Sequence, residues 1–163
     1  MLDPRASFNP LFLREEDLRQ AIELLFFAYR DFTGEADQLL VEYGFGRAHH
    51  RVIYFVGRQP GMTVSELLSI LKITKQSLSR VLSALVAQGF VIQRQGERDR
   101  RQRLLHLTEK GAELERRLTE RQRQLIAAAY RAAGAEAVDG FRKVLLGIVN
   151  PVDRATFLAG RRG

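Results

Sequence analysis

The sequence predicts a mainly α-helical fold with one small β-hairpin, and three observations carry that expectation. Residues 63 to 89 hold two consecutive helical patterns, each preceded by a capping threonine and separated by a tight turn. Residues 90 to 107 hold two extended segments joined by an Arg-dense loop. Apolar stripes of helical spacing then occupy both ends of the chain.

From the N-terminus, Phe8 to Leu13 is an apolar patch around Pro10 with the character of a docking arm rather than a regular element. Leu18, Ile22, Leu25, Phe26, Tyr29 and Phe32 or Thr33 define a long helix from Glu15 to about Thr33. Leu24, Phe27 and Ala28 extend its stripe most of the way round, so it is expected to meet more than its own core. Gly34 is the candidate interruption, with Ala36 to Tyr43 as a further helical stretch before Gly44 and Gly46. Arg47 to Val56 reads as a short helix with Val52, Ile53 and Val56 on one side.

The next elements carry explicit caps. Thr63 and Glu66 form a capping box for a helix to about Leu71, with Leu67, Leu68 and Leu71 as its buried side. Thr74, with Ser77 at the third position, caps a second helix whose core stripe is Leu78, Val81, Leu82, Leu85 and Val86. Gly89 stops it. Phe90 to Arg94 and Arg103 to Leu107 are strand-like, and Gly96 to Gln102 turn between them. Thr108 caps a helix whose first part, Glu109 to Arg123, is densely charged and reads as a solvated connector. Its continuation to Ala133 is apolar or small. After Gly134, the stripe Phe141, Val144, Leu145, Ile148 and Val149 ends at Asn150-Pro151, leaving Phe157-Leu158 as a last contact.

The middle of this order is a winged helix-turn-helix, an arrangement that puts one helix into a DNA groove and a loop against the adjoining backbone. The second capped helix presents Lys75, Gln76, Ser79, Arg80 and Ser83 on the side opposite its core stripe, without a single acid. A solvated surface normally mixes signs, because oppositely charged i,i+4 pairs contribute ~0.2–0.5 kcal/mol each. Arg and Lys can read guanine, Gln can read adenine, and Ser suits base edges or phosphates. Thr74 and Ser77, at the start of that helix, join the candidate DNA-binding set. In the wing, Arg94, Arg98, Arg100, Arg101 and Arg103 face only Glu97 and Asp99. Arginines there suit a narrow minor groove and its flanking phosphates. Asp99, two residues before Arg101, can hold that guanidinium in one bidentate orientation.

Composition agrees with an anionic partner and removes several alternatives. Twenty-six Lys and Arg against nineteen Asp and Glu give a formal charge of +7. Net charge alone would not separate nucleic acid from an acidic membrane surface. No apolar run approaches the ~20 residues of a spanning helix, and Met-Leu-Asp-Pro-Arg opens without an apolar signal segment, which predicts a cytoplasmic protein. Zero cysteines exclude disulfides, thiolate metal sites, a Cys nucleophile and a thiol redox switch. His49-His50 and His106 do not make a metal site by spacing, since neighbouring helical side chains diverge by about 100°. Polar packing or pocket lining is their expected role. Gly44-Phe-Gly46 lacks the context of a nucleotide loop, and nucleophile-elbow, metalloprotease and phosphate-loop motifs are absent, so no cofactor and no enzymatic activity are expected.

Thr63-Val-Ser-Glu-Leu, Thr74-Lys-Gln-Ser-Leu-Ser-Arg, Leu85-Val-Ala-Gln-Gly-Phe-Val and above all Asp99-Arg-Arg-Gln-Arg-Leu-Leu-His-Leu-Thr-Glu-Lys-Gly resemble the MarR family of bacterial transcriptional regulators. The resemblance is closest over residues 47–111, and its wing signature, Asp-x-Arg followed by Leu-Thr-x-x-Gly, is specific. It implies a homodimer with interlocking terminal helices, one winged helix per subunit on a palindromic operator, Asp99 and Arg101 as the wing-tip pair, and Lys75, Gln76, Ser79 and Arg80 on the recognition helix. Organisation follows as an arm and dimerisation helix (1–46), a winged helix-turn-helix (47–111) and C-terminal dimerisation helices (112–163). Apolar stripes at both ends independently favour an intertwined dimer, because the middle already has its own core.

Such a dimer calls for an inverted repeat with half-site centres ~10 base pairs apart, and for binding that weakens steeply with salt. The expected function is a DNA-binding regulator acting as a repressor. Many relatives of such regulators respond to a small aromatic or anionic effector, for which Phe26, Tyr29, Arg30, His50 and Tyr54 are the candidate pocket, core and interface being their plainer role. Two other classes stay open at this point. One is a winged-helix module that binds protein, and the other is a basic RNA- or membrane-surface-binding protein.

Overall fold

The computed structural model describes residues 10–160. In chain order it contains α1 (Glu15–Val41), α2 (Arg47–Arg58), β1 (Met62–Thr63), α3 (Val64–Leu71), α4 (Lys75–Ala87), β2 (Val91–Gln95), β3 (Arg103–Leu107), α5 (Glu109–Ala133), α6 (Ala135–Ile148) and α7 (Pro151–Leu158). Among the described residues, no helix is long and apolar enough to cross a membrane. The chain divides into two compact units, one ending at Glu35 and the other beginning at Ala36.

In the first unit, Leu11–Leu13 of the expected arm form a single 3-10 turn and are exposed, while Phe8 and Asn9 lie outside the described residues. Leu18, Ile22, Leu24, Leu25, Phe26, Phe27 and Tyr29 are all exposed on α1. Gly34 does not interrupt this helix, contrary to the sequence expectation. A helical glycine is less favourable than alanine by about 1 kcal/mol, which burial of Ala36 and Leu40 in the following turns readily offsets. Thr33 supports the same stretch by donating its hydroxyl to the Tyr29 carbonyl at 2.9 Å.

The second unit is built on one core. Leu40, Val52, Ile53, Val56, Leu67, Leu78, Leu85, Phe90, Leu105, Leu114 and Leu118 are almost completely buried. Three antiparallel strands run in the order β1-β3-β2, with Met62 opposite Leu105, Val91 opposite Leu107 and Gln95 opposite Arg103. The hairpin expected from sequence therefore gains a third, two-residue strand, supplied by the segment that also caps α3. Gly61, at φ +84°, makes that segment turn, and its N–H donates to Leu105 O at 2.8 Å.

Several further expectations are refined. Leu67 is buried but Leu68 and Leu71 only half so, and Val86 is 40% exposed rather than part of the α4 core. The first part of α5 is more than a solvated connector, because Leu114 and Leu118, four residues apart, point its apolar seam into the core. Asn150-Pro151 ends α6 and also starts α7: Asn150 accepts the Asp153 N–H through its side chain at 3.0 Å, and proline suits the first helical position. Arg154 closes the corner by donating to the carbonyls of Leu146, Gly147 and Val149.

Candidate nucleic-acid interface

Local hydrogen bonds set the orientation of α3 and α4. Glu66 N–H donates to Thr63 Oγ1 at 3.1 Å while Thr63 N–H donates to the Glu66 carboxylate at 3.2 Å, completing the capping box. Lys72 ends α3 in the left-handed region at φ 51°, its N–H held by Leu68 O. That reversal makes the turn short. Thr74 then caps α4, accepting the Ser77 N–H at 3.1 Å and donating its hydroxyl to Ser77 Oγ at 2.8 Å. Thr74 and Ser77 thus first serve to start the helix, and any contact with a partner would come on top of that role.

Leu78, Val81, Leu82 and Leu85 seat α4 in the core. Every residue of the opposite face, Lys75, Gln76, Ser79, Arg80 and Ser83, is exposed, and together they line a shallow open depression. Gln76 and Arg80 are four residues apart, about 6 Å along the helix axis, close to the rise of two base pairs. At its far end the helix stops where Gly89 adopts φ +78° and Phe90 N–H reaches back to Leu85 O at 2.9 Å.

The wing turn is closed by Gly96 N–H donating to Gln102 O at 3.0 Å and Gln102 N–H to Asp99 O at 3.1 Å. A side chain at position 96 would place its Cβ 2.5 Å from Asp99 O, so the turn requires glycine. Asp99 accepts the Arg101 N–H at 3.0 Å and Arg101 Nε at 3.2 Å through the same carboxylate oxygen, with Arg101 Nη2 at 3.5 Å from the other. The guanidinium is oriented yet 92% exposed. Arg98 and Arg100, in the same turn, are exposed. Arg94 and Arg103 are not brought together: Arg94 pairs across the ladder with Leu104, and Arg103 with Gln95, so strand alternation places them on opposite faces of the hairpin.

Most cations of α4 and the wing differ from the paired arginines of α5. On α5, Arg116 and Arg123 are held by Glu113 and Glu120 at 2.7 and 2.9 Å. Among the described residues, Lys75, Arg80, Arg94, Arg98, Arg100 and Arg103 have no carboxylate partner. Their field is left for an external anion.

The residues proposed for an effector are distributed over two helices. Phe26 and Tyr29 are exposed on α1, and Arg30 is engaged by Asp31 at 2.9 Å and lies 4.5 Å from the centre of the Phe27 ring. His50 and Tyr54 are half-buried on α2. His49 has a structural role that its neighbour hid in the sequence. Its Nδ1 accepts the Gly46 N–H at 3.0 Å, capping α2, and its ring stacks 4.7 Å from Phe45. Burial pushes both histidines below the usual imidazole range. No group of three metal-ligating side chains occurs among the described residues.

Comparison with known proteins places this geometry. Residues 43–102 match the model of the MarR family. The chain is 56% identical over 144 residues to the HTH-type transcriptional regulator PetP of Rhodobacter capsulatus, covering 88% of this chain and 87% of that protein. Among solved structures, the fold is similar to Streptococcus pneumoniae FabT in complex with DNA, at TM-score 0.70 and 20% identity over 90% of this chain and all of that one. It is also similar to a MarR transcriptional regulator of Methanosarcina mazei, at TM-score 0.62 and 20% identity over 79% and 91% of the two chains.

Proposed function

Because the chain belongs to the MarR family of DNA-binding transcriptional regulators, we propose that it acts as a homodimeric repressor that reads an inverted-repeat operator. The observation that carries the reading is the acid-free, outward face of α4, Lys75, Gln76, Ser79, Arg80 and Ser83, beside a wing whose Arg101 is held in one orientation by Asp99. On this reading α4 enters the major groove and the wing lies on the adjoining backbone and minor groove. Repression follows from occupancy of the operator.

The dimer is supported by apolar surface concentrated on the terminal helices. Ile22, Leu24 and Phe26 on α1, and Val144 and Ile148 on α6, are each more than 60% exposed in a single chain. Exposed apolar side chains in this number are unusual on a monomer and usual at a permanent interface. Two-fold symmetry then sets half-site centres ~10 base pairs apart. Release by a small aromatic or anionic effector is part of the same reading, with Phe26, Tyr29, Arg30, His50 and Tyr54 as its candidate residues. Freeing Arg30 from its exposed partner Asp31 would cost little, because water screens the pair.

The test is selection of duplexes from a randomised pool by the full chain, at two salt concentrations, with Arg80→Ala and Arg101→Ala in parallel. Enrichment of an inverted repeat, relaxed or lost in the variants, supports operator recognition. No enrichment by folded protein at low salt would favour a protein-binding winged helix instead. Titration of phenolic and acidic ligands against the selected duplex tests the effector, and no saturable change in affinity would remove it.

A further inference from the structure

The α4 face and the wing account for the outward cations, but they leave unexplained a second set of contacts behind them. Thr108 Oγ1 donates to Gly89 O at 2.6 Å, and Thr108 N–H donates to Phe90 O at 3.1 Å. Lys110 Nζ donates to Gln88 O at 2.9 Å and sits 4.3 Å from the centre of the Phe90 ring. Gly111 packs so closely on this segment that a Cβ would stand 2.0 Å from Phe90 O. Three consecutive residues at the end of α4 are therefore strapped to the first turn of α5, about twenty positions away in sequence.

The inner side of the strap is aromatic. Phe90, buried beneath Lys110, meets Tyr43 and Phe45 edge-on at 5.6 and 5.3 Å. Tyr43 in turn accepts from Arg117 Nη1 of α5 through its hydroxyl at 3.1 Å. A helix needs one cap to stop, and Gly89 with the Phe90 N–H already supplies it. Lys110 adds a bond to a carbonyl that could equally face water. It is not needed to end α4.

We infer that Thr108 and Lys110 are positioning residues for DNA recognition: they clamp the end of the recognition helix to α5 and so hold the tilt at which α4 is presented. The inference rests on the operator-binding reading above. Its physical content is that Leu78, Val81, Leu82 and Leu85 hold α4 on the core, while the Lys72 turn fixes one end of it and this strap the other. A small rotation about the first end would displace the Lys75 to Ser83 face relative to the wing, whose strand β2 begins directly after Phe90. Loss of the strap should therefore weaken reading of a specific site without removing any charge that touches phosphate.

The experiment uses the full chain with Lys110→Met, which keeps the stem over Phe90 and removes the donor, and Lys110→Arg, which restores one. Thr108→Ser and Thr108→Val form a second pair, of which only Thr108→Ser retains the hydroxyl. Each is titrated with the duplex selected by the wild type and with an unrelated duplex, across a salt series, and each is melted. For Lys110→Met the expected result is a specific affinity reduced about 2- to 30-fold, with unrelated-duplex binding and the salt slope unchanged. The melting temperature should stay within about 3 °C of wild type. Lys110→Arg and Thr108→Ser should restore most of the loss. A salt slope lowered by about one on both duplexes would make Lys110 a phosphate contact and overturn the inference. Unchanged specific affinity in Lys110→Met would overturn it as well, with operator binding intact. Failure of the wild type to select any duplex would instead remove the reading on which the strap depends.

Discussion

Replacing Asp99 by alanine separates two effects that act in opposite directions. The substitution removes an acid from a loop proposed to lie against a polyanion, so charge alone says that DNA binding should tighten. Asp99 also orients Arg101, accepting its backbone N–H at 3.0 Å and its guanidinium Nε and Nη2 at 3.2 and 3.5 Å, while the guanidinium is otherwise in water. Immobilising a free arginine side chain costs up to ~2 kcal/mol. If pre-orientation removes about half of that, each wing contributes about 1 kcal/mol and a dimer about 2, or roughly 30-fold in affinity. Against this, a carboxylate ~8 Å from a phosphate is repelled by about 0.5 kcal/mol in water, reduced to about a third of that over one Debye length at 0.15 M salt. Pre-orientation outweighs repulsion, and the expected net loss is about tenfold at ~150 mM salt, shrinking at ~50 mM, where repulsion is less screened. An exposed ion pair contributes at most about 1 kcal/mol to folding, so the melting temperature should hardly move. Fluorescence anisotropy with a labelled operator duplex measures the affinities, and Asp99→Asn, which keeps an acceptor for the Arg101 N–H, should fall between. If Asp99→Ala bound as tightly as wild type, or more tightly, at ~150 mM salt, pre-orientation of the wing would be refuted.

Three other outcomes are expected. Gly111→Ala forces a Cβ to within 2.0 Å of the Phe90 carbonyl oxygen, a backbone atom with little freedom to yield, so a loss of about 3 kcal/mol or more should appear in thermal or urea denaturation; a shift under about 2 °C would contradict the packing described. His49 and His50 have folded pKa values below the unfolded one, so the unfolded chain binds protons first on acidification: their contribution is complete above about pH 6.5 and is lost as pH falls below it. Stability measured from pH 7.5 down to 5 should decline, and His49→Gln with His50→Gln should flatten that decline. Val144→Asp with Ile148→Asp adds charge to a face that is 64 and 63% exposed in one chain, so sedimentation should show monomers that keep their helical signal but bind the operator far more weakly. A dimer that persists would move the interface elsewhere.

Much of this molecule was legible in the sequence because much of it is local. Thr63 with Glu66, Thr74 with Ser77, and Thr108 with Gly111 are bonds between residues three apart, and their spelling places three helix starts. The exposed face of α4 follows from the 3.6-residue period once its core stripe is assigned, and the Asp99–Arg101 pair follows from a spacing of two. The resemblance to a family of regulators supplied the role. Periodicity alone would have left a basic helix beside a basic loop.

Where the sequence reading and the structure part, the deciding contacts are distant or collective. Whether Gly34 breaks α1 depends on the burial of Ala36 and Leu40, which no local propensity contains. Val86 fits the α4 stripe by spacing, yet it lies at the margin where the core ends. Strand β1 exists only because Met62 and Thr63 meet Leu105 and Leu104, some forty residues on, and two residues carry no strand signal of their own. The strap from Thr108 and Lys110 to residues 88 to 90 is likewise invisible to any window along the chain. The sequence by itself determined where the capped helices start and which of their faces are polar, since those choices are settled by hydrogen bonds and periodicity within four residues. Only the tertiary structure decided which apolar residues are buried, which arginines share a face and what ties the end of α4 to α5, because each depends on surfaces that meet after the chain has closed on itself.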